Sequence, residues 1–212
     1  MFFDSHAHLN NEMSDEARAA MVRAIEDSEL DYVMDIGFDL PSSKLAVDHA
    51  AKYPWCYAAV GCHPHDTDSM DDMQLALIKG LAKKKKVMAI GEIGLDFHYD
   101  HSPRDVQREW FRRQIRLANE LKMPFAIHSR EADQEVLDIL KKEGAFSDGR
   151  KSWFPERPDT TRYVSKQPGT CKDARVLLHC FSGSAELGSQ YVKLGATISI
   201  AGPVTYKNNR KT

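Results

Sequence analysis

At 212 residues, with 42% hydrophobic and 28% charged side chains, the chain has the size and balance of one soluble α/β domain. Its net charge of -2 excludes a global electrostatic grip on nucleic acid, so a nucleic-acid enzyme of this composition needs a local basic rim or metal ions to hold phosphates. No stretch approaches the roughly 20 apolar residues that span a bilayer, and Cys56, Cys62, Cys171 and Cys180 lack Cys-x-x-Cys spacing, which together predict no membrane partner and a reducing, cytoplasmic compartment (or the nucleus or mitochondrion).

In chain order, apolar strand-like runs are predicted over Phe2–His8, Tyr32–Gly37, Cys56–Gly61, Val87–Ile93, Pro124–Ser129, Arg175–Phe181 and Ala196–Ala201. Amphipathic helical patterns alternate with them, which argues for βα units around a parallel sheet buried on both faces. Lys83 to Lys86 read as a solvated helix C-terminus, where cations offset the helix dipole. Ser102-Pro103-Arg104-Asp105 supplies an N-cap, a proline at the first helical position and an acid in the first turn. The face that follows, Val106, Trp110, Leu117 and Leu121, is interrupted only by Gln114, and Pro124 ends the pattern. From about 143 to 172 the chain has no clear period; it reads as an insertion in the loops of a single domain over 1–212, with Trp153-Phe154-Pro155 docking on the body. Leu187, Tyr191 and Leu194 precede Gly195, a C-cap before the last strand. Seven strands result, whereas a closed TIM-type (β/α) barrel has eight.

The chemistry sits at the ends of these runs. In Asp4-Ser5-His6-Ala7-His8, residues two apart on a strand share a face, so His6 and His8 present two imidazoles to one metal ion. Glu92, His128 and His179 each sit late in their own apolar run, and in a parallel barrel the C-terminal strand ends converge on one mouth. A carboxylate in an apolar strand needs a cation, and one placed centrally can bridge two ions. A structural ion pair for Glu92 and core positions for the histidines are the alternatives. His63 and His65, a second His-x-His stiffened by Pro64, are assigned beside the metals to position a substrate phosphate. Arg130 adds a cation for phosphate or lies on the surface; His49 reads as structural, and His98 and His101 lie near the mouth without a role.

Several motifs together resemble the TatD family of metal-dependent deoxyribonucleases, within the amidohydrolase-like superfamily. They are Phe3-Asp4-Ser5-His6-Ala7-His8-Leu9, Gly61-Cys62-His63-Pro64-His65, Ile90-Gly91-Glu92-Ile93-Gly94-Leu95-Asp96, Met123-Pro124-Phe125-Ala126-Ile127-His128-Ser129-Arg130 and Leu178-His179-Cys180-Phe181-Ser182-Gly183. The resemblance implies a TIM-type barrel and a two-metal centre (Mg, Mn or Zn) that hydrolyses DNA phosphodiesters from the 3′ end. His6 and His8 would hold one ion, His128 and His179 the other, Glu92 would bridge both, and His63 would sit near the scissile phosphate. Two departures accompany it. The family's further aspartate, in a Glu-Thr-Asp-Ser-Pro-like segment after strand eight, has no counterpart here, and the stretch between His128 and His179 is longer than usual. An incomplete barrel, self-association through its open edges, and a metal- or DNA-binding protein with impaired catalysis are therefore expectations alongside the nuclease. Amide or ester hydrolysis by the same centre is a further class, disfavoured because Glu92 stands where those enzymes often use a carboxylated lysine.

Overall fold

The protein is described from a computed structural model covering residues 2–158 and 170–206. Seven parallel strands form one sheet that curls into a half-barrel, in the spatial order β1 (Phe2–Ala7), β2 (Leu30–Ile36), β3 (Cys56–Val60), β4 (Val87–Asp96), β5 (Phe125–Arg130), β8 (Val176–Leu178) and β9 (Thr197–Ile198). Arg157–Pro158 (β6) and Thr170–Cys171 (β7) form a separate antiparallel pair between β5 and β8. The seven runs legible in the sequence are the seven strands of the sheet. The last two are shorter than expected; past Leu178 and Ile198 the pairing continues as isolated bonds, from His179 N–H to Ile127 O, from Ser199 N–H to Leu178 O and from Phe181 N–H to Ser199 O.

Helices connect successive strands: α1 (Asp15–Glu26), α2 (Leu40–Lys52), α3 (Asp72–Ala82), α4 (Arg104–Leu121), α5 (Asp133–Lys142), α6 (Asp148–Lys151) and α7 (Ala185–Lys193). No helix among the described residues is long and apolar enough to cross a membrane. α7 ends as expected, with Gly195 at φ +94 one residue past the C-cap Leu194. α3 ends at Ala82 with Lys83 as its C-cap, but Lys86 turns inward: its ammonium donates to the carbonyls of Ala50, Tyr53 and Pro54 and so closes the end of α2. On the concave side of the sheet, Phe3, Tyr32, Met34, Tyr57 and Met88 line a cavity of about 530 Å³. β1 and β9 are the sheet's two edges among the described residues.

α4 does more than cover the sheet. Trp110, Phe111, Ile115, Leu117 and Ala118 are buried in the core, and so are two glutamines on the same helix. Gln114, the expected flaw in the apolar face, accepts from Cys62 N–H at 2.8 Å and donates to Cys62 O at 3.0 Å. Gln107 does the same for Asp96, at 2.9 and 3.1 Å. A buried amide must be satisfied, and here both sides benefit, because each glutamine also pairs a backbone N–H and a carbonyl, at Cys62 past the end of β3 and at Asp96, the last residue of β4. The N-terminus of α4 differs from expectation by one residue. Pro103 occupies the cap position, and the Ser102 hydroxyl instead donates to His65 O and accepts from Asp68 N–H, tying two loops together.

The stretch without sequence period contains a buried anchor. Ser147 caps α6, and Arg150 on that helix is 1% exposed. Its guanidinium donates to Ala174 O (3.0 Å), Asn119 Oδ1 (2.8 Å) and Met123 O (2.7 Å), and lies 3.8 Å from the Phe125 ring centroid with Trp153 and Phe154 beyond. Burial pushes this guanidinium down to about 10, so it is still charged at neutral pH. The contacts join the segment to the chain just before β5 and just before β8. Replacing Arg150 with Met would leave three buried acceptors without donors. We expect a loss of about 3 kcal/mol in urea unfolding at unchanged m-value; a loss below about 0.5 kcal/mol would contradict this account of the anchor.

Candidate metal centre

Five strands deliver a histidine or a carboxylate to the same end of the sheet. His6 lies in β1 with His8 just past it, His63 follows β3, Glu92 and Asp96 lie in β4, His128 is in β5, and His179 follows β8. The register brings them level: Gly94 pairs with His128 and Ile127 with Leu178. Close approach of β4 and β5 depends on glycine. A Cβ at Gly94 would lie 1.9 Å from His128 O, and one at Gly91 would lie 2.6 Å from the Ala126 Cβ. The peptide between Gly91 and Glu92 is cis.

Glu92 is the centre of the arrangement. It is 3% exposed, and its two oxygens face different partners. Oε2 lies 3.3 Å from His6 Nε2 and 3.7 Å from His8 Nε2. Oε1 lies 3.1 Å from His128 Nδ1 and 3.9 Å from His179 Nε2. Burial pushes the carboxyl up, but hydrogen bonds from His128 and His6 outweigh it and hold the group well below the usual carboxylate range. An ionised carboxylate with one oxygen toward each pair of imidazoles is a donor set that fits two cations.

The imidazoles are prepared for such a role to different degrees. His8 places Nδ1 2.9 Å from Ile36 O, which fixes the proton there and leaves the Nε2 lone pair toward Glu92. His6 and His8 bring their Nε2 atoms within 3.3 Å of each other, and His6 stacks on His179 at 3.3 Å between centroids. His6 Nδ1 is buried with no hydrogen-bond partner among the described residues. Ligand atoms of His6, His8 and Glu92 lie within 4.8 Å of one another, and so do those of His63, Glu92 and His128. Imidazole nitrogens with one carboxylate suit Zn, Mn, Co or Fe in preference to Ca.

His63 lies in this cluster, but its ring is set differently. The backbone N–H of His65 donates to His63 Nδ1 at 3.1 Å, so the neutral ring carries its proton on Nε2 and offers a donor. His65 turns to Asp96, 2.9 Å away, and does not reach Glu92's oxygens. Arg130 ends β5 exposed at the rim, its guanidinium 4.6 Å from the Tyr99 ring centroid and without a carboxylate partner among the described residues. His98 pairs with Glu131 at the surface, His101 packs 4.6 Å from the His65 ring, and His49 forms a buried pair with Asp35 at 2.7 Å. A cleft of about 500 Å³ opens over the centre, lined by His8, Phe38, His63, His65, Glu92 and His101 among others. The residue that reading the sequence missed is Asp96, wholly buried and in contact with both His65 and His128. Its signal was present: Glu92, Gly94 and Asp96 alternate along one strand and share a face.

Comparison with known proteins gives the chain a family. Residues 3–212 match the family model described as TatD related DNase. The chain belongs to the TatD family. Its relatives include a Bacillus subtilis (strain 168) protein described as an uncharacterized metal-dependent hydrolase, YabD, which is 38% identical over 211 residues, covering 100% of this chain and 72% of the relative. A Cronobacter sakazakii protein described as a 3'-5' ssDNA/RNA exonuclease, TatD, is 28% identical, covering 94% of this chain and 66% of the relative. This chain thus spans about two thirds of the exonuclease's length. The crystal structure of YJJV, a TatD homologue from Escherichia coli, shares the fold with a TM-score of 0.76 at 24% identity, covering 97% of this chain and 70% of that one. The protein is accordingly a TatD-family metal-dependent hydrolase, with an α/β half-barrel that matches the family's TIM-type fold.

These histidine environments leave a signature in the pH dependence of the chelator-treated protein. Burial pushes His63 down to about 3, and burial with the neighbouring His6 pushes His179 down to about 4. Both are neutral when folded and take up protons near 6.5 on unfolding. From about pH 6.5 down to about 4 for His179 and about 3 for His63, the unfolded chain binds more protons, so stability is lost as pH falls through this window. His128 runs the other way. Burial pushes it down, but hydrogen bonds to Asp96 and Glu92 outweigh that and lift it to about 9. Its contribution is full below 6.5 and is lost as pH rises through about 9. Urea unfolding of the chelated protein should therefore show maximal stability near neutrality, with His63→Gln flattening the acid limb and His128→Gln the alkaline one. A stability flat from pH 4.5 to 9 would contradict these environments.

Proposed function

We propose that this TatD-family hydrolase is a deoxyribonuclease that trims DNA from the 3′ end through a centre of two divalent ions, Mg, Mn or Zn. The observation that carries the reading is the division of Glu92, one oxygen toward His6 and His8 and the other toward His128 and His179. On this reading His6, His8 and Glu92 hold one ion, and Glu92, His128 and His179 the second. Ions bound there would stabilise negative charge on the phosphoryl oxygens and make water acidic enough to attack at neutral pH. The exonuclease name of the Cronobacter sakazakii relative supports a nucleic-acid substrate.

The remaining residues act on the substrate itself. His63 stays neutral, because burial holds it down to about 3, and its Nε2–H is a hydrogen-bond donor for a non-bridging phosphate oxygen. Arg130 at the rim supplies a guanidinium for a phosphate of the same strand. His65 positions this group of side chains: its backbone sets the His63 ring, and its own ring is held by Asp96. With a net charge of -2, these local cations and the ions carry the attraction for DNA that the protein as a whole does not.

Single-stranded DNA with a labelled 5′ end, incubated with protein reconstituted in Mg²⁺, Mn²⁺ or Zn²⁺, should shorten progressively from its 3′ end. Glu92→Ala should abolish turnover, and His63→Ala should lower kcat about 10²-fold with metal content unchanged. Loss of a bound ion in His63→Ala would place His63 among the ligands. Hydrolysis of a carboxyl ester with no DNA cleavage would replace the nuclease reading by the ester or amide one. DNA binding without turnover of any substrate would leave a binding protein.

A further inference from the structure

Asp96 occupies an unusual position for a buried carboxylate: all of its lone-pair directions are taken. Oδ2 lies 2.9 Å from His65 Nε2 and 3.1 Å from His128 Nε2. Oδ1 accepts the backbone N–H groups of His98 at 3.0 Å and Tyr99 at 2.9 Å. The backbone of Asp96 is itself clamped by Gln107 of α4. Such a group has no lone pair left to ligate an ion or to accept a proton from water, and no freedom to swing toward either. A carboxylate at the end of an apolar strand beside a histidine cluster would otherwise pass for a ligand or a base.

What Asp96 does is decided by the other nitrogen of each ring it touches. A carboxylate that accepts Nε2–H leaves Nδ1 as the lone-pair nitrogen of a neutral imidazole. In His128 that Nδ1 lies 3.1 Å from Glu92 Oε1, to which it donates while no ion is bound, and it is the nitrogen that would face an ion there once its proton is displaced. In His65 the same contact commits Nε2 as a donor and keeps the ring turned away from Glu92. We infer that Asp96 is the positioning residue of the second ion site, presenting His128 through Nδ1 and holding His65 out of the ligand set; this rests on the two-ion reading above. The assignment divides the two ion sites asymmetrically. His8 is oriented through its Nδ1 by a backbone carbonyl, so its ligating atom is Nε2. His128 is oriented through its Nε2 by a carboxylate, so its ligating atom is Nδ1. A carboxylate also raises the basicity of the ring it orients more than a carbonyl does, so the second site depends on its outer partner more than the first.

Zinc titration of the 212-residue chain by calorimetry, with elemental analysis after dialysis, tests the inference. The wild type should bind two ions. Asp96→Asn should retain one with near wild-type affinity and bind the other about 10–100-fold more weakly, while His65→Gln should leave both affinities within about twofold of the wild type. Nitrogen-15 histidine spectra of the zinc-loaded wild type, which do not require the variant to fold, should show the His128 proton on Nε2 and a metal-shifted Nδ1. Two ions bound equally tightly by Asp96→Asn, or a His128 proton on Nδ1, would overturn the role of Asp96 alone. Fewer than two ions in the wild type would overturn the two-ion reading and this inference with it.

Discussion

A single buried carboxylate sets the terms for the rest of the molecule. Taking Glu92 out of water costs several kcal/mol unless cations or donors surround it, and the fold answers by directing four imidazoles at its two oxygens from three other strands. His6, Glu92, His128 and His179 lie far apart in the sequence. What brings the strand ends level is the parallel register, and what lets β4 and β5 approach closely is the absence of side chains at Gly91 and Gly94. The site is therefore a property of the whole half-barrel: shifting β5 by one residue would turn His128 to the opposite face.

The helix layer takes part in this. α4 packs its aromatic and aliphatic residues on the sheet, but its two buried glutamines reach past them to hold the backbone at Cys62 and Asp96. Those two points lie one residue before His63 and at the carboxylate that orients His65 and His128. A side chain that looks like a flaw in an amphipathic face thus fixes the loops on which the chemistry stands. Arg150 performs the matching task at the other end of the strands, joining the chain just before β5 to the chain just before β8. The strands that carry His128 and His179 are in this way tied together at their starts, and through Glu92 at their ends.

Much of this was legible in the sequence because it rests on local patterns. Seven apolar runs of strand length marked the sheet, and a histidine or glutamate near the end of each relevant run marked the site. The parts that were not legible are those in which a residue's partner lies far along the chain. Ser102 carries every local mark of a helix cap, yet its hydroxyl bonds across to His65 and Asp68. Lys86 belongs to a charge run that reads as solvated, yet it closes a helix that ended more than thirty residues earlier. Arg150 sits in a stretch with no period and is among the most buried side chains of the protein. Asp96 shares a strand face with Glu92 and Gly94, yet its partners His65 and His128 lie 31 and 32 residues away, and no local pattern names them.

On the two-ion reading Glu92 would hold both ions at once, one on each oxygen, and magnetic coupling between them is the sharpest probe of it. Mn²⁺ added to the chelated protein should be followed by electron paramagnetic resonance. The six-line spectrum of isolated Mn²⁺ should give way, at two equivalents, to that of a spin-coupled pair about 3.5–4 Å apart, and Glu92→Gln should abolish the coupled spectrum. A spectrum that saturates at one equivalent, or two ions that stay magnetically isolated, would contradict it.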